Sequence, residues 1–337
     1  MDKRRLVRSV WFAVFLLMMF NSCTVEKEKV KVTESWPDIT VPDFNADSAY
    51  FFIEKQINFG PRIPNSASHR EAGDYLVNQF KRYGAIVTEQ KFVATTFDHQ
   101  NLNLRNIIAS FYLQASKRIL LAAHWDTRPF ADKDTQNSNA PFDGANDGAS
   151  GVGVLLEIAR ILGTEDSLSV GVDIMLFDGE DWGERADNRH EISLPPGLDS
   201  WWCLGSQYWS KNKHTKNYVA SCGILLDMVG ARRSQFFREG ASMTYAPKIV
   251  DKVWNIGHSL GYSDYFVKQN VSAITDDHVF VNESGKIPMI DIVHYQAGIG
   301  FFGAYHHAQK DNLSIISKET LKAVGATVLH VVYYESP

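Results

Sequence analysis

The chain is organised around the stretch Phe177-Asp178-Gly179-Glu180-Asp181-Trp182-Gly183. Apolar residues occupy alternate positions from Val172 to Leu176 just before it, which predicts a β-strand that ends near Phe177. Two adjacent carboxylates at the end of a buried strand are unfavourable unless a cation or a hydrogen-bond donor offsets their charge. We interpret Glu180 and Asp181 as a proton-transfer group beside a metal ligand. Taken alone, the pair fits a solvated acidic turn better, so other residues must decide.

Composition favours one large globular domain. The chain has 337 residues, of which 45% are hydrophobic and 22% charged, and no linker-like composition interrupts it after residue 46. We therefore expect a single catalytic domain over residues 46–337, acting as a monomer. The net charge is -5 and no basic run follows the amino terminus, which argues against a nucleic-acid partner.

The first 22 residues have the pattern of a signal peptide. A basic segment containing Lys3 and Arg8 precedes a short apolar run, Val10 to Phe20, that is too short for a comfortable membrane span. Phe20-Asn21-Ser22-Cys23 resembles a bacterial lipoprotein cleavage site, so we expect lipidated Cys23 to anchor the protein in the cell envelope, facing the periplasm or the outside. Ordinary secretion and an uncleaved anchor are the alternatives. Residues 23–45 are polar and are predicted to form a tether.

Two cysteines remain after Cys23. The periplasm and the cell exterior permit disulfides, and Cys203 and Cys222 either pair or remain separate core thiols. The sequence leaves both alternatives open.

Helical and strand patterns alternate along the chain. Apolar spacing predicts helices at 47–57, 68–83, 150–163, 205–211, 247–260 and 318–334. Strands are predicted at 85–94, 102–111, 118–123, 171–177, 223–228 and 288–293. This order predicts an α/β fold with a mixed, mostly parallel central sheet and helices on both faces. Such folds bind ligands beyond the carboxyl ends of their strands.

Histidines and carboxylates fall at these strand ends or in the loops before helices. They are His124, Asp147, Glu180, Asp181, Asp227, Asp291 and His307. Two carboxylates and one imidazole with an open position are typical of a catalytic zinc site, and Asp147, Asp181 and His307 can supply them. Glu180 would then be the general acid/base. His124 and Asp227 remain for a second metal or for supporting contacts.

Plainer explanations exist for several of these residues. Asp147 is also placed to cap the helix that opens near Ser150. His306 and His307 are adjacent, and we expect only one of them to point inward. Asp227 and Asp291 are also placed to bond backbone groups at strand ends.

Several motifs carry a resemblance to known families. Leu121-Ala122-Ala123-His124-Trp125-Asp126, Gly144-Ala145-Asn146-Asp147-Gly148-Ala149-Ser150-Gly151, Phe177–Asp181, Leu204-Gly205-Ser206 and Leu226-Asp227 resemble the metal-site motifs of the zinc aminopeptidase family. With Asp276-Asp277-His278 and His307-Ala308-Gln309-Lys310-Asp311-Asn312, the chain resembles the zinc-dependent, animal-type glutaminyl-peptide cyclotransferases, especially their bacterial lipoprotein forms. The resemblance covers about residues 46–334.

This resemblance implies an activity and roles. The enzyme would convert the amino-terminal glutamine of peptides and proteins to pyroglutamate and release ammonia. Asp147, Asp181 and His307 would bind a single zinc ion, Glu180 would shuttle protons, and Asp227 and Asp276 would form an acidic pair at the reacting centre. We expect the substrate pocket to include further residues, namely Trp125, Trp182, Trp201, Trp202, His124 and Asp291.

The chain departs from the animal pattern at four positions. Asp181 stands where those enzymes have Glu, Asp291 where they have His, His306 where they have Trp, and Ala123 where they have a disulfide cysteine. The change at His306 removes an expected aromatic wall of the pocket.

Two other functions compete with cyclisation. A di-zinc aminopeptidase would place a second zinc on His124 and Asp227, bridged by Asp147, and all of those ligands are present. A non-catalytic, peptide-binding lipoprotein would predict loss of Glu180 or of a ligand, and none is lost. We favour cyclisation because Trp125, the segment Asp276-Asp277-His278 and the Trp-containing insertion at 183–203 match the cyclotransferase pattern.

Overall fold

The computed structural model describes residues 36–185 and 193–336. The signal peptide and lipidated Cys23 that we predict lie outside the described residues. The described helices are α1 (Ala46–Ile57), α2 (Ala67–Arg82), α3 (Ala149–Leu162), α4 (Leu204–Lys211), α5 (Gly240–Tyr245), α6 (Pro247–Ser259), α7 (Asp277–Glu283) and α8 (Lys318–Tyr334). Within the described ranges, no helix has the length and apolarity needed to cross a membrane.

A six-stranded sheet forms the centre of the fold. Its strands are β1 (Ile86–Thr95), β2 (Asn101–Phe111), β3 (Lys117–His124), β4 (Val170–Phe177), β5 (Cys222–Asp227) and β8 (Met289–Val293), in the order β1-β2-β4-β3-β5-β8. The strands from β4 to β8 in that order are parallel, whereas β1 and β2 are antiparallel to their neighbours. Helices α1 and α3 pack together on one side, and α4 and α7 pack together on the other. The expected mixed, mostly parallel sheet is confirmed.

The predicted elements lie within one residue of their observed ends, but the shortest elements were not predicted. Helices α5 and α7 and the strands β6 (Phe236–Arg238), β7 (Phe266–Asn270), β9 (Tyr295–Gln296) and β10 (Gly300–Phe301) span two to seven residues each. A run this short barely completes one or two periods of its own pattern, so it leaves no periodic signal.

The predicted tether extends too far along the chain. Phe44 is only 1% exposed and packs against Gly325 of α8, where a Cβ atom would lie 2.2 Å from the Phe44 ring. The Asn45 side chain accepts hydrogen bonds from the backbone N–H groups of Asp47 and Ser48, and so caps α1. The folded unit therefore begins before residue 46, and the residues from Asp38 onward form one compact unit.

The two cysteines whose pairing the sequence left undecided do not form a disulfide. Cys203 and Cys222 are both buried and both free.

Helix α3 lies unusually close to the ends of the central strands. A Cβ atom at Gly151 would lie 2.2 Å from the Leu226 carbonyl oxygen, and one at Gly148 would lie 2.5 Å from the His124 carbonyl oxygen. Only glycine allows this approach. The loop before α3, which carries Asp147, is thereby held against the carboxyl ends of β3 and β5.

Candidate metal centre and active-site cavity

Three residues from separate elements meet at the carboxyl ends of β3 and β5. His124 is the last residue of β3, Asp227 is the last residue of β5, and Asp147 precedes α3. The His124 Nε2 atom lies 3.0 Å from Asp147 Oδ1 and 3.3 Å from Asp227 Oδ1. We call His124, Asp147 and Asp227 the inner cluster.

A second group shares Asp147. The His307 Nε2 atom lies 2.9 Å from Asp181 Oδ1 and 3.7 Å from Asp147 Oδ2. We call Asp147, Asp181 and His307 the outer cluster. The structure therefore brings together the three residues that the sequence analysis assigned to a zinc ion.

The histidine next to His307 also reaches Asp147. His306 Nε2 lies 3.7 Å from Asp147 Oδ2, so the expectation that only one of the two rings points inward is wrong. Lys133 Nζ donates a hydrogen bond to His306 Nδ1 at 2.5 Å. Burial, together with the neighbouring His307, holds the pKa of His306 well below its ordinary value. His306 is therefore a neutral ring beside the outer cluster.

The donor atoms of the two clusters fit a divalent cation. Asp147 Oδ2 and both ring nitrogens of His124 are buried and make no hydrogen bond of acceptable geometry within the described part of the chain. Buried polar atoms are normally satisfied, so a cluster of buried lone pairs of this kind fits a positively charged ligand. Carboxylate oxygen and imidazole nitrogen are donors that zinc accepts. The residues present therefore fit the zinc ion expected from the sequence.

Supporting contacts hold the outer cluster in place. His307 Nδ1 lies 3.4 Å from Asp132 Oδ1, and Asp132 accepts a hydrogen bond from Arg128 Nη2 at 2.6 Å. The Arg128 backbone N–H donates to Asp181 Oδ2 at 3.0 Å. A carboxylate on the second nitrogen of a ligand histidine fixes the orientation of the ring.

The backbone around the ligands is held by two further aspartates. Asp311 accepts hydrogen bonds from the N–H groups of Asn146 and Asp147, at 2.7 and 3.0 Å. Asp126 accepts from the N–H groups of Glu180 and Asp181, at 3.1 and 3.2 Å. Both aspartates lie inside motifs that the sequence singled out, although no role was assigned to them. The sequence analysis assigned no role to Asp132 and Arg128. Their i, i+4 spacing was the only feature that could have indicated a contact between them.

The plainer explanation of Asp147 as a helix cap does not hold. The N-cap residue of α3 is Gly148, and no side chain caps this helix. Asp147 instead faces His124 and His307 with its two oxygens.

Glu180 lies beside the outer cluster in a cavity of about 440 Å³. The cavity is lined by Asp132, Lys133, Asp147, Glu180, Asp181, Glu184, Ser200, Trp202, Asp227, Thr275, Asp276, Phe302, His306 and His307. One oxygen of Glu180 and one of Asp276 lie within 4.8 Å of each other and of the Cys203 sulfur, whose thiol donates to Glu180 Oε1 at 3.3 Å. Burial, with the nearby charges of Asp181 and Asp276, raises the pKa of Glu180 well above its ordinary value. Such a carboxyl is suited to general acid/base chemistry near neutral pH.

Only one of the six expected pocket residues lines this cavity. Trp202 does, and its ring is parallel to that of His307 with 5.9 Å between the ring centres. Trp125 is fully buried and stacks on His69 at 4.3 Å, and Trp182 donates to Asp98 away from the cavity. Trp201, His124 and Asp291 are buried as well, and none of them lines the cavity. The insertion thus turns a single indole toward the site, which sequence spacing alone does not reveal.

Asp291 was expected at the end of its strand. It lies inside β8, opposite Leu225 of β5, two residues before the strand ends. This position buries its carboxyl completely, behind Asp276 and not in the cavity wall.

A comparison with known protein families identifies the family of this chain. Residues 106–332 match the model of peptidase family M28, which is more than half of the chain. The chain belongs to peptidase family M28. Its solved relatives extend the match to almost the whole fold.

Structures of M28-like proteins superpose closely on this chain. The glutaminyl cyclase of Bacteroides thetaiotaomicron, solved with N-acetylhistamine, is 45% identical and has a TM-score of 0.82, over 87% of this chain and 99% of that one. The Porphyromonas gingivalis glutaminyl cyclase is 48% identical, with a TM-score of 0.80, over 86% and 98%. A Zn-dependent exopeptidase from Parabacteroides distasonis is 48% identical, with a TM-score of 0.82, over 87% and 99%.

The curated relatives are longer. Aminopeptidase YwaD of Bacillus subtilis is 25% identical over 285 residues, which is 81% of this chain but 54% of that protein. The chain thus spans about half the length of this M28 relative.

Proposed function

We propose that the chain is a glutaminyl-peptide cyclotransferase that converts amino-terminal glutamine to pyroglutamate, with one zinc ion per chain. The observation that carries the proposal is the position of Glu180, which lies between the outer cluster and Asp276 at the wall of one cavity. The likeness to two solved bacterial glutaminyl cyclases over nearly their whole length supports it.

The reaction joins two groups of the same residue. The α-amine of glutamine attacks its own γ-carbonyl carbon, a five-membered lactam closes, and ammonia leaves. Zinc held by Asp147, Asp181 and His307 would polarise the γ-carbonyl and stabilise the negative charge that develops on its oxygen. Because both reactants belong to one bound residue, holding that residue in a folded conformation supplies much of the acceleration.

Glu180 would carry the protons. It takes a proton from the α-amine as the carbon–nitrogen bond forms and returns it to the departing nitrogen, which leaves as ammonia. Its pKa, raised by burial and by the neighbouring acids, makes the Glu180 carboxylate a stronger base toward the α-amine than an exposed glutamate. Asp276 and Asp227 line the same cavity and would hold the α-amino group.

The cavity wall would exclude water and limit the substrate. Trp202 and Phe302 are the large aromatic groups of the lining, and Trp202 is fixed by stacking on His307 and by the Arg128 guanidinium, 4.6 Å from its ring centre. His306 packs on Phe302 with 4.4 Å between ring centres, so a histidine–phenylalanine pair forms the wall where the animal pattern has tryptophan. This wall would admit the first residue of the substrate and leave the later residues at the mouth of the cavity.

The test uses two peptides that differ in their first residue. The purified enzyme is incubated with a Gln-initiated peptide and with its Leu-initiated counterpart, and the products are weighed by mass spectrometry. Cyclisation gives loss of ammonia from the Gln peptide and leaves the Leu peptide intact. Shortening of the Leu peptide without ammonia loss from the Gln peptide would contradict the proposal.

A di-zinc aminopeptidase is the second candidate function. The inner cluster favours it, because His124 and Asp227 converge on Asp147 as ligands of a second ion would. The similarity to a Zn-dependent exopeptidase also agrees with it. Two zinc ions per chain and shortening of the Leu peptide would establish this alternative.

We further propose that acyl chains on Cys23 anchor the enzyme in the bacterial cell envelope, with the catalytic domain on the periplasmic or outer side. Support comes from the basic segment, the short apolar run and the site at Phe20-Asn21-Ser22-Cys23. Metabolic labelling with a clickable fatty acid tests the idea. Labelled wild type in the membrane fraction and unlabelled Cys23→Ala are expected; equal labelling of both would contradict it.

A further inference from the structure

A single lysine lies at the mouth of the active-site cavity. Seven of the fourteen residues that line the cavity are carboxylic acids, and Lys133 is the one lysine or arginine among the lining residues that the structure describes. Lys133 is also exposed, so it lies where the cavity opens to solvent. A substrate that extends out of the cavity therefore passes this positive charge.

The loop that carries Lys133 is fixed by hydrogen bonds. The Lys133 N–H donates to the His307 carbonyl oxygen at 3.1 Å, and Asp134 Oδ2 accepts the N–H of Gln309 at 3.1 Å. Because Gln309 follows His307 by two residues, these bonds join the loop to the segment that carries the histidine of the outer cluster. The backbone thus holds Lys133 at a defined distance from the outer cluster.

The side chain of Lys133 is held as well. Its Nζ atom donates to His306 Nδ1 at 2.5 Å, and the other nitrogen of that ring, Nε2, lies 3.7 Å from Asp147 Oδ2. One imidazole ring therefore separates the ammonium group from the outer cluster. Among the described residues His306 is the one hydrogen-bond partner of this ammonium group, which has three N–H donors, so two donors remain for a ligand.

The acids that face Lys133 have other partners. They are Asp132, Asp147 and Asp181. Asp132 accepts the hydrogen bond from Arg128 Nη2, and the proposed zinc ion would offset the charges of Asp147 and Asp181. The positive charge of Lys133 is therefore left without a matching anion at the mouth.

The other acids of the lining serve a different part of the substrate. In the proposed reaction, Glu180, Asp227 and Asp276 meet the α-amino group of the glutamine. The remaining acid is Glu184, which is half-buried and whose Oε2 atom is enclosed in the wall, whereas Lys133 is exposed. The more exposed charge at the mouth is thus positive, and it favours a negative group just beyond the glutamine.

We propose that Lys133 is a specificity-determining residue that favours peptides with glutamate or aspartate directly after the amino-terminal glutamine. The proposal rests on the proposed cyclisation and names its substrate class. The side-chain carboxylate of the second residue accepts an N–H of Lys133 while the glutamine occupies the cavity. The polar pair of Lys133 and His306 stands where the animal pattern has tryptophan, whose uncharged ring does not attract a carboxylate.

Amidated peptides that differ only in the second residue test this preference. The enzyme is assayed with Gln-Glu-Ala-Phe-amide, Gln-Gln-Ala-Phe-amide and Gln-Lys-Ala-Phe-amide, in which the amide removes the terminal carboxylate as another source of negative charge. We expect KM to be about threefold lower for the Glu peptide than for the Gln peptide at similar kcat, and highest for the Lys peptide, since an exposed ion pair contributes modestly. The preference should shrink in about 0.5 M salt, which screens exposed charges.

Two substitutions assign the preference to this side chain. Lys133→Met keeps the length and removes the charge, so it should lose the difference between the Glu and Gln peptides, whereas Lys133→Glu should favour the Lys peptide by about threefold. Lys318→Met is the matched control and should keep the wild-type preference, because Lys318 pairs with Asp47 outside the cavity. A wild type without preference, or a preference that persists in Lys133→Met, would overturn the proposal.

Peptide binding to the Glu180→Gln variant measures the same preference without turnover. Calorimetric titration should show that Glu180→Gln binds the Glu peptide about threefold more tightly than the Gln peptide, and that adding Lys133→Met abolishes the difference. Equal affinities in Glu180→Gln, or no binding of either peptide, would refute the role of Lys133. If the wild type cyclises none of the three peptides, the proposed function fails, and the affinities still decide the role of Lys133.

Discussion

The inner and outer clusters share Asp147 but differ in what supports them and in what they face. Asp181 and His307 of the outer cluster line the cavity, and His307 is backed by Asp132. His124 of the inner cluster is 1% exposed and does not line the cavity. A ligand that enters the cavity therefore meets all three residues of the outer cluster but only Asp147 and Asp227 of the inner one.

The two clusters also balance their charges differently. Although burial opposes a charge on His124, its three neighbours Asp126, Asp147 and Asp227 raise the pKa of the imidazole well above its ordinary value. Burial and the charge of Asp276 raise the pKa of Asp227 to about 7. Such a cluster can offset its charges with protons or with a cation, so five ligand-type residues in the right order do not by themselves decide between one and two metal ions.

Replacing the histidine of each cluster should give the largest difference in zinc binding between the two clusters. His307→Ala should lose both bound zinc and activity, since an outer cluster with two carboxylates alone lacks its nitrogen ligand. His124→Ala, the matched control, should keep its zinc. Metal content after dialysis, measured by mass spectrometry, checks both. Equal zinc loss in the two variants would show that the clusters act as one two-metal site.

Glu180→Gln separates proton transfer from metal binding. The amide fits the same space but cannot take the proton, so kcat should fall by roughly 10³-fold while zinc content stays unchanged. Glu184→Gln, which alters another acid of the cavity wall, should change kcat only slightly. A fully active Glu180→Gln variant would remove Glu180 from the mechanism.

The contact of Asp132 with His307 should affect zinc affinity more than it affects the catalytic step. Asp132→Asn weakens the group that orients the ligand ring, so the zinc dissociation constant should rise by about 10- to 100-fold. Competition with a fluorescent chelator measures this change. Asp199→Asn, which alters only a surface pair with Lys211, is the control and should leave zinc affinity as it is.

The smallest expected effect distinguishes two tryptophans that the sequence treats alike. Trp202→Ala should raise KM by about fivefold, since an aromatic wall contact contributes about 1 kcal/mol beyond its buried area. Trp182→Ala should lower stability instead, because its indole packs against the apolar cluster around Phe92 and Leu104. A KM that rises in both variants would place Trp182 in the substrate path.

The sheet and the ligands could be predicted because they follow from local patterns. A buried strand produces a continuous apolar run, as in Ile119 to Ala123, and the residue after it lies at a known edge of the sheet. Asp181 follows such a strand, but Asp147 and His307 lie in loops before helices, and the resemblance to zinc enzymes completed the predicted ligand set.

The supporting contacts and the pocket wall could not be predicted in this way. Asp132 reaches His307 across a long sequence separation, from a segment without helix or strand between β3 and α3. Which of Trp201 and Trp202 faces the cavity depends on loop geometry, including the left-handed backbone of Cys203 at φ 58°. Periodicity contains no information about such turns.

The zinc content of the purified enzyme tests the central claim most directly. The protein is dialysed against metal-free buffer after expression with zinc, and metal and protein are quantified on the same sample. One tightly bound zinc ion per chain, lost in His307→Ala and retained in His124→Ala, is the predicted result. Two tightly bound ions, one of them lost with His124, would contradict it and identify the chain as a two-metal peptidase.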